Sequence, residues 1–148
     1  MPSMIKRGIV VAGLSLAAIV AASAASLFFA PPRSDAGRDA RPASVTLIYV
    51  GAEDCAPCRA WRRDGWPQFA ASSEFRRLAY REVVAPKLFQ LLNDEHWPDD
   101  LRRYRDRLDR SSAVPLWFVV ADEELALTAR GLREWSERAL PTIRSLLR

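Results

Sequence analysis

Residues 45–58 read VTLIYVGAEDCAPC, and this stretch decides the fold that we predict for the chain. Residues 45–50 form an apolar run rich in β-branched and aromatic side chains. The run has the length of a strand, and its lack of polar alternation predicts burial on both faces of a sheet. Residues 51–54 end the strand, and the C-A-P-C motif at residues 55–58 then opens a helix. The stretch therefore predicts a buried strand that leads two cysteines to a helix N-terminus.

The two cysteines, Cys55 and Cys58, have the spacing that thiol–disulfide exchange requires, because it brings two sulfurs of one helix within bonding distance. At a helix N-terminus the free N–H groups and the dipole lower the pKa of a thiol, and the thiolate is the attacking species. Pro57 suits the first helical turn, where no N–H is needed. We predict Cys55 as the nucleophile and Cys58, inside the helix, as the resolving thiol.

A C-x-x-C motif also occurs in other settings, so two other roles for this pair stay open. One is a permanent structural disulfide, which an exported domain would form in any case. The other is a metal site completed by His96 and a carboxylate. The chain has two cysteines and one histidine, too few for a four-ligand zinc site without carboxylates. We expect no metal and no cofactor.

The strands and helices predicted downstream follow the order β-α-β-α-β-β-α, with helices on both faces of a mixed sheet. Residues 78–84 are typical of a second strand, and residues 116–120 (LWFVV) and 125–129 of a hairpin. The first helix is expected to stop at Asp64-Gly65. Pro141 is expected to kink or split a C-terminal helix.

Val114-Pro115 stands directly before the predicted strand 116–120. A proline at this place either marks the edge of a strand or forms a cis peptide bond beside the cysteines. In the second interpretation the Val114 backbone is exposed like a strand and pairs with an extended substrate segment.

This arrangement resembles the thioredoxin superfamily: a strand, the C-A-P-C motif at a helix start, an X-Pro pair before a hairpin, and a final helix. The resemblance covers roughly residues 45–148 and implies a thioredoxin-like, three-layer α/β/α fold with a mixed central sheet. It also implies a thiol–disulfide oxidoreductase in which Cys55 attacks, Cys58 resolves, and Pro115 faces them in cis. Val114 and Pro57 are the substrate-binding positions that we predict.

Three departures from the family pattern affect the expected chemistry. Asp54 stands where family members often have Trp, and its charge would raise the pKa of Cys55. A smaller depression of that pKa weakens oxidising power, which favours a reductase. Tyr49 stands where thioredoxins carry a buried acid that assists proton transfer. Residues 87–110 resemble a helical insert, which serves either as a packing lid or in partner selection.

The N-terminal segment predicts export. Residues 8–30 carry no charge and follow Lys6 and Arg7. A helix of this length spans a bilayer core of about 30 Å, although Ala22-Ser23-Ala24 fits a signal cleavage site. We therefore expect a signal anchor or signal peptide over residues 1–30, a linker over 31–43 and the folded domain over 44–148. The domain would lie on the periplasmic side of the inner membrane, anchored through residues 8–30 or released.

The charge balance argues against a nucleic-acid partner. The net charge is +4, yet from Ser34 onward 19 basic residues face 18 acidic ones, and no basic face stands out. We expect a monomer that exchanges disulfides with a protein substrate and with a redox partner. The alternative is a non-catalytic, thioredoxin-like binding module whose disulfide is structural.

Overall fold

The computed structural model of the protein describes residues 41–109 and 111–148, and its centre is one four-stranded sheet in the order β2-β1-β3-β4. The strands are β1 (Val45–Ala52), β2 (Ala79–Ala85), β3 (Leu116–Ala121) and β4 (Glu124–Arg130). Strand β1 pairs in parallel with β2 and antiparallel with β3, and β3 and β4 form an antiparallel hairpin. The predicted mixed sheet is confirmed.

Short helices cover both faces of this sheet. They are α1 (Ala56–Ala60), α2 (Trp66–Ala70), α3 (Arg102–Arg105), α4 (Gly131–Glu134) and α5 (Leu140–Leu146). A π-helical turn joins α1 to α2 (Trp61–Gly65), and another joins α4 to α5 (Trp135–Ala139). Between β2 and β3 lie α3 and the single 3-10 turns Leu88–Gln90, Asp94–His96 and Asp99–Leu101.

Alternate residues of β1 point into two separate hydrophobic clusters, which makes the fold three-layered. Leu47 and Tyr49 pack in the cluster with Trp61 of the first helical run and Trp135 of the last one. Ile48 and Val50 pack on the other face, against the segment between β2 and β3; its buried members there are Leu91, Trp97, Leu101 and Tyr104. The strand is buried on both faces because it is apolar at consecutive positions. The predicted three-layer α/β/α fold is confirmed.

The predicted helix stop at Asp64-Gly65 is wrong. The chain stays helical through Gly65 and enters α2 directly. A β-carbon on Gly65 would overlap the ring of Trp61, one helical turn earlier. Trp61 is buried, with its ring centroid 4.9 Å from that of Trp117 and 4.5 Å from that of Trp135. Gly65 therefore serves close packing of an indole ring and does not end the helix.

Among residues 41–109 and 111–148, no helix has the length and apolar character that a membrane crossing needs. The hydrophobic helix predicted for residues 8–30 lies outside the described residues.

Candidate redox site

The two cysteines lie at the start of α1, shortly after the end of β1. Cys55 is the N-cap residue of α1, and its Sγ accepts a hydrogen bond of 3.2 Å from the Cys58 backbone N–H. Cys55 and Cys58 are joined by a disulfide, with their Cα atoms 5.2 Å apart. Pro57 occupies the first turn of the helix, where its lack of an N–H leaves no hydrogen bond unmade. Among the described residues, no cysteine is free.

The two cysteines differ in their exposure to solvent. Cys55 retains 8% of its surface exposed, whereas Cys58 is 0% exposed. Both pack with Ala52, at the end of β1, and with Val114. Cys55 is therefore the more accessible residue of the bonded pair.

The structure brings Val114 and Pro115 to the cysteines. The Val114–Pro115 peptide bond is cis. The Cys55 Sγ lies 3.8 Å from the Val114 carbonyl oxygen. Pro115 is buried, and its carbonyl oxygen accepts a hydrogen bond of 2.7 Å from the Gly131 N–H. This bond ties the residue before β3 to the residue after β4.

One side of the site is an apolar groove that the sequence analysis did not identify. Its volume is about 630 Å³, and Leu88, Phe89, Leu91 and Leu92 supply its apolar wall. Asp54, the residue before Cys55, joins the groove to the cysteines, because its Oδ1 accepts a hydrogen bond of 2.9 Å from the Leu88 N–H. We call this feature the apolar groove. The signal in the sequence was the run LFQLL at residues 88–92, apolar at four of its five positions.

A second surface near the cysteines is basic. Arg59, Arg62 and Arg63 line a shallow surface together with Ala52 and Glu53. Arg59 is held there, since its Nη1 donates a hydrogen bond of 3.0 Å to the Glu53 carbonyl oxygen. We call this feature the arginine surface. Three arginines therefore lie near the cysteines, on a surface that shares no lining residue with the apolar groove.

Tyr49 lies on the face of β1 that packs against the first and last helical runs, next to Trp61 and Trp117. Its hydroxyl is buried and has no hydrogen-bond partner among the described residues. Burial raises the pKa of Tyr49 to about 12. A β-carbon on Gly51 would lie 2.5 Å from the Tyr49 hydroxyl oxygen, so glycine leaves the room that this hydroxyl fills. At neutral pH the phenol is uncharged and cannot accept a proton as a carboxylate does.

Nothing in the described residues assembles a metal site around His96. Its Nε2 lies 3.3 Å from the Glu95 carboxylate. Within residues 41–109 and 111–148 no group of three or more His, Cys, Asp or Glu side chains is placed to hold a metal ion.

Comparisons with known proteins give matches in structure alone. No protein-family model matches the chain, and no curated protein matches its sequence. Thioredoxin from Malassezia sympodialis is 11% identical, with 73% of this chain and 81% of that one covered and a TM-score of 0.51. The reduced periplasmic thioredoxin SoxS of Paracoccus pantotrophus is 15% identical, with 70% and 96% covered and a TM-score of 0.48. Thioredoxin f of spinach chloroplast is 14% identical, with 70% and 76% covered and a TM-score of 0.48.

The structural match to the Malassezia thioredoxin, with a TM-score of 0.51, supports the fold, and at 11% identity it leaves substrates and partners to be argued from the chain itself. The sheet order, the flanking helices and the position of the cysteines agree with the likeness. The bonded cysteine pair supports a redox function for the site. The described part of this protein has a thioredoxin-like fold and carries the disulfide-forming pair Cys55–Cys58 at the start of its first helix.

Proposed function

We propose that the protein is an extracytoplasmic thiol–disulfide oxidoreductase that acts on protein partners, with a reductase direction favoured. The observation that carries this proposal is the unequal burial of the bonded pair. Cys55 is 8% exposed at a helix N-cap, and Cys58 is 0% exposed behind it. This asymmetry suits a nucleophile that meets a partner and a resolving thiol that does not.

In the reductive direction the reaction begins with both cysteines reduced. The Cys55 thiolate attacks one sulfur of a partner disulfide, and the other partner sulfur leaves as a thiolate that takes up a proton. Cys58 then loses its proton and attacks the Cys55 sulfur, which releases the second partner thiolate. The partner gains two electrons and two protons, and the protein ends with the Cys55–Cys58 disulfide. A second redox partner must return two electrons before the next cycle.

The contacts around Cys55 give the first step its chemistry. The Cys58 N–H that reaches the Cys55 sulfur in the disulfide is also placed to donate to a thiolate at that position. The exposed N–H end of the helix favours negative charge at the same atom.

Substrate binding is proposed for the Val114 backbone and for Pro57. The Val114 carbonyl oxygen lies 3.8 Å from the Cys55 sulfur, so a partner strand that pairs with Val114 brings its own sulfur close to Cys55. Pro57 lies on the first turn of α1 and presents an apolar ring without an N–H at the same end of the helix.

The direction and the location rest on the chain's own charges and hydropathy. The Asp54 carboxylate is fixed next to Cys55 by the Leu88 N–H, and a negative charge there opposes the thiolate. A less stabilised thiolate makes the pair a weaker oxidant. The uncharged segment at residues 8–30 supports a location on the periplasmic side of the inner membrane, anchored or released.

Two serine variants test the mechanism. Cys58→Ser is expected to accumulate a mixed disulfide with partner proteins, because the second step is lost. Cys55→Ser is the matched control and is expected to accumulate none. Adduct formation by each variant is measured on non-reducing gels after acid quenching. Equal adduct formation by the two variants, or undiminished disulfide reduction by Cys55→Ser, would contradict the mechanism. If neither variant forms adducts and the wild-type protein reduces no disulfide, a binding module with a structural disulfide is left.

A further inference from the structure

The apolar groove carries two large hydrophobic side chains that are exposed to solvent. Phe89 is 83% exposed and Leu88 is 48% exposed. The remaining large hydrophobic side chain exposed among the described residues is Leu132, at 40%, on a different helix. Two adjacent apolar side chains that stand free beside a reactive cysteine are typical of a surface that a partner covers.

The groove is held in shape from both of its ends. At one end the Asp54 carboxylate accepts the Leu88 N–H, 34 residues away in sequence. At the other end the buried Trp97 Nε1–H donates a hydrogen bond of 2.7 Å to the Leu91 carbonyl oxygen. The 3-10 turn Leu88–Gln90 lies between these two hydrogen bonds, which fix its position while Phe89 stays exposed. A surface organised in advance loses little conformational entropy when a partner binds.

Charge gives the groove a preferred kind of partner. Asp54 and Asp109 are both part of its lining. Asp109 stays in place because its Oδ1 accepts hydrogen bonds from Ser111, 2.8 Å from the backbone N–H and 2.6 Å from the hydroxyl. The arginine surface, which shares no lining residue with the groove, carries the opposite sign. A partner segment with a basic residue at the groove is attracted, and one with an acidic residue there is repelled.

We propose that the apolar groove selects the protein substrate by binding the residues that flank the partner's reactive cysteine. The occupant is an extended segment of the partner in which a large apolar side chain and a Lys or Arg lie next to that cysteine. The apolar side chain packs on Phe89 and Leu88, and the basic one faces Asp54 and Asp109. This inference rests on the proposed function, and it names the substrate class for the same site.

The test uses two synthetic peptides, each with one cysteine in a mixed disulfide with glutathione. One peptide carries Leu and Arg beside the cysteine, and the other carries Ser and Asp at the same places. The full-length reduced protein is mixed with each peptide, and the second-order rate constant for peptide reduction is measured. Glutathione disulfide serves as a third probe without flanking residues.

The wild-type protein is expected to reduce the Leu-Arg peptide about tenfold faster than the Ser-Asp peptide, as for loss of one packed anchor. Phe89→Ser is expected to bring this ratio to about one to three, and Phe89→Leu to retain most of it. Leu132→Ser, which removes an exposed apolar side chain from α4, is expected to keep the wild-type ratio.

Failure of this inference and failure of the proposed function give different results. If the wild-type protein reduces glutathione disulfide but shows no preference between the peptides, the groove does not select substrate. The same conclusion follows if Phe89→Ser keeps the tenfold ratio. If Phe89→Ser converts an oligomer to a monomer in size-exclusion chromatography, a second copy covers the groove and the inference is wrong. If the wild-type protein reduces none of the three probes, the proposed function itself fails.

Discussion

Gly65→Ala is expected to destabilise the protein, although Gly→Ala inside a helix normally stabilises it. Alanine would add about 1 kcal/mol of helix propensity at this position. Its β-carbon, however, would overlap the ring of Trp61. That ring cannot move aside, because Trp117 and Trp135 hold it at centroid distances of 4.9 and 4.5 Å. The sign of the effect therefore depends on packing rather than on propensity.

The size of the effect follows from these two opposing contributions. Overpacking a well-filled core costs typically about 1–3 kcal/mol, and here the rigid ring places the cost near the upper end. After the gain in propensity, we expect the free energy of unfolding to fall by about 1–2 kcal/mol. A domain with a total stability of about 5–15 kcal/mol still folds after such a loss.

Urea denaturation followed by tryptophan fluorescence measures this change. Ser145→Ala, at an exposed position of α5, is the control and is expected to stay within about 0.5 kcal/mol of the wild-type value. Stabilisation of Gly65→Ala by about 1 kcal/mol would refute the packing of Trp61 against Gly65.

Three further substitutions test groups whose surroundings the structure defines. Burial raises the pKa of Tyr49 from 10.0 to about 12. The contribution of the uncharged phenol to stability is therefore full below pH 10 and is lost as the pH rises toward 12. Tyr49→Phe should make the measured alkaline decline in unfolding free energy less steep. The hydrogen bond from Arg144 lowers the pKa of Glu74 from 4.5 to about 2, so the contribution of this pair to stability is full above pH 4.5 and is lost as the pH falls toward 2. Glu74→Gln should make the decline in unfolding free energy between pH 4.5 and 2 less steep. An unchanged curve would count against the pair. Asp54→Asn keeps an oxygen for the Leu88 N–H but removes a charge, so the reduction potential in glutathione buffers should become less negative; a more negative value would contradict the role of that carboxylate.

The elements that carry the cysteines could be predicted from sequence because their signals are local. Residues 45–50 are apolar without alternation, and the C-A-P-C motif follows them after four residues. The apolar run at residues 116–120 likewise predicted β3, and Val114-Pro115 stands directly before this run. Runs of this kind determine a strand through their own composition.

Other features depended on contacts that sequence spacing does not reveal. Gly65 resembles a helix stop, and only the position of Trp61 shows that the glycine is needed for packing inside a helical run. The apolar groove depends on a hydrogen bond between Asp54 and Leu88 that joins residues 34 positions apart. From the sequence, only the charge of Asp54 is informative, because nothing local indicates that its carboxylate also holds a turn in place.

The reduction potential of the Cys55–Cys58 pair tests the central claim most directly. The protein is equilibrated in thiol/disulfide buffers, its free thiols are trapped with an alkylating agent, and the oxidised fraction is measured. A redox-active pair with a reductase direction predicts a value near about −270 mV. A value near about −120 mV would reverse the direction. A pair that stays oxidised well below about −300 mV would contradict the redox account and make the disulfide a structural one.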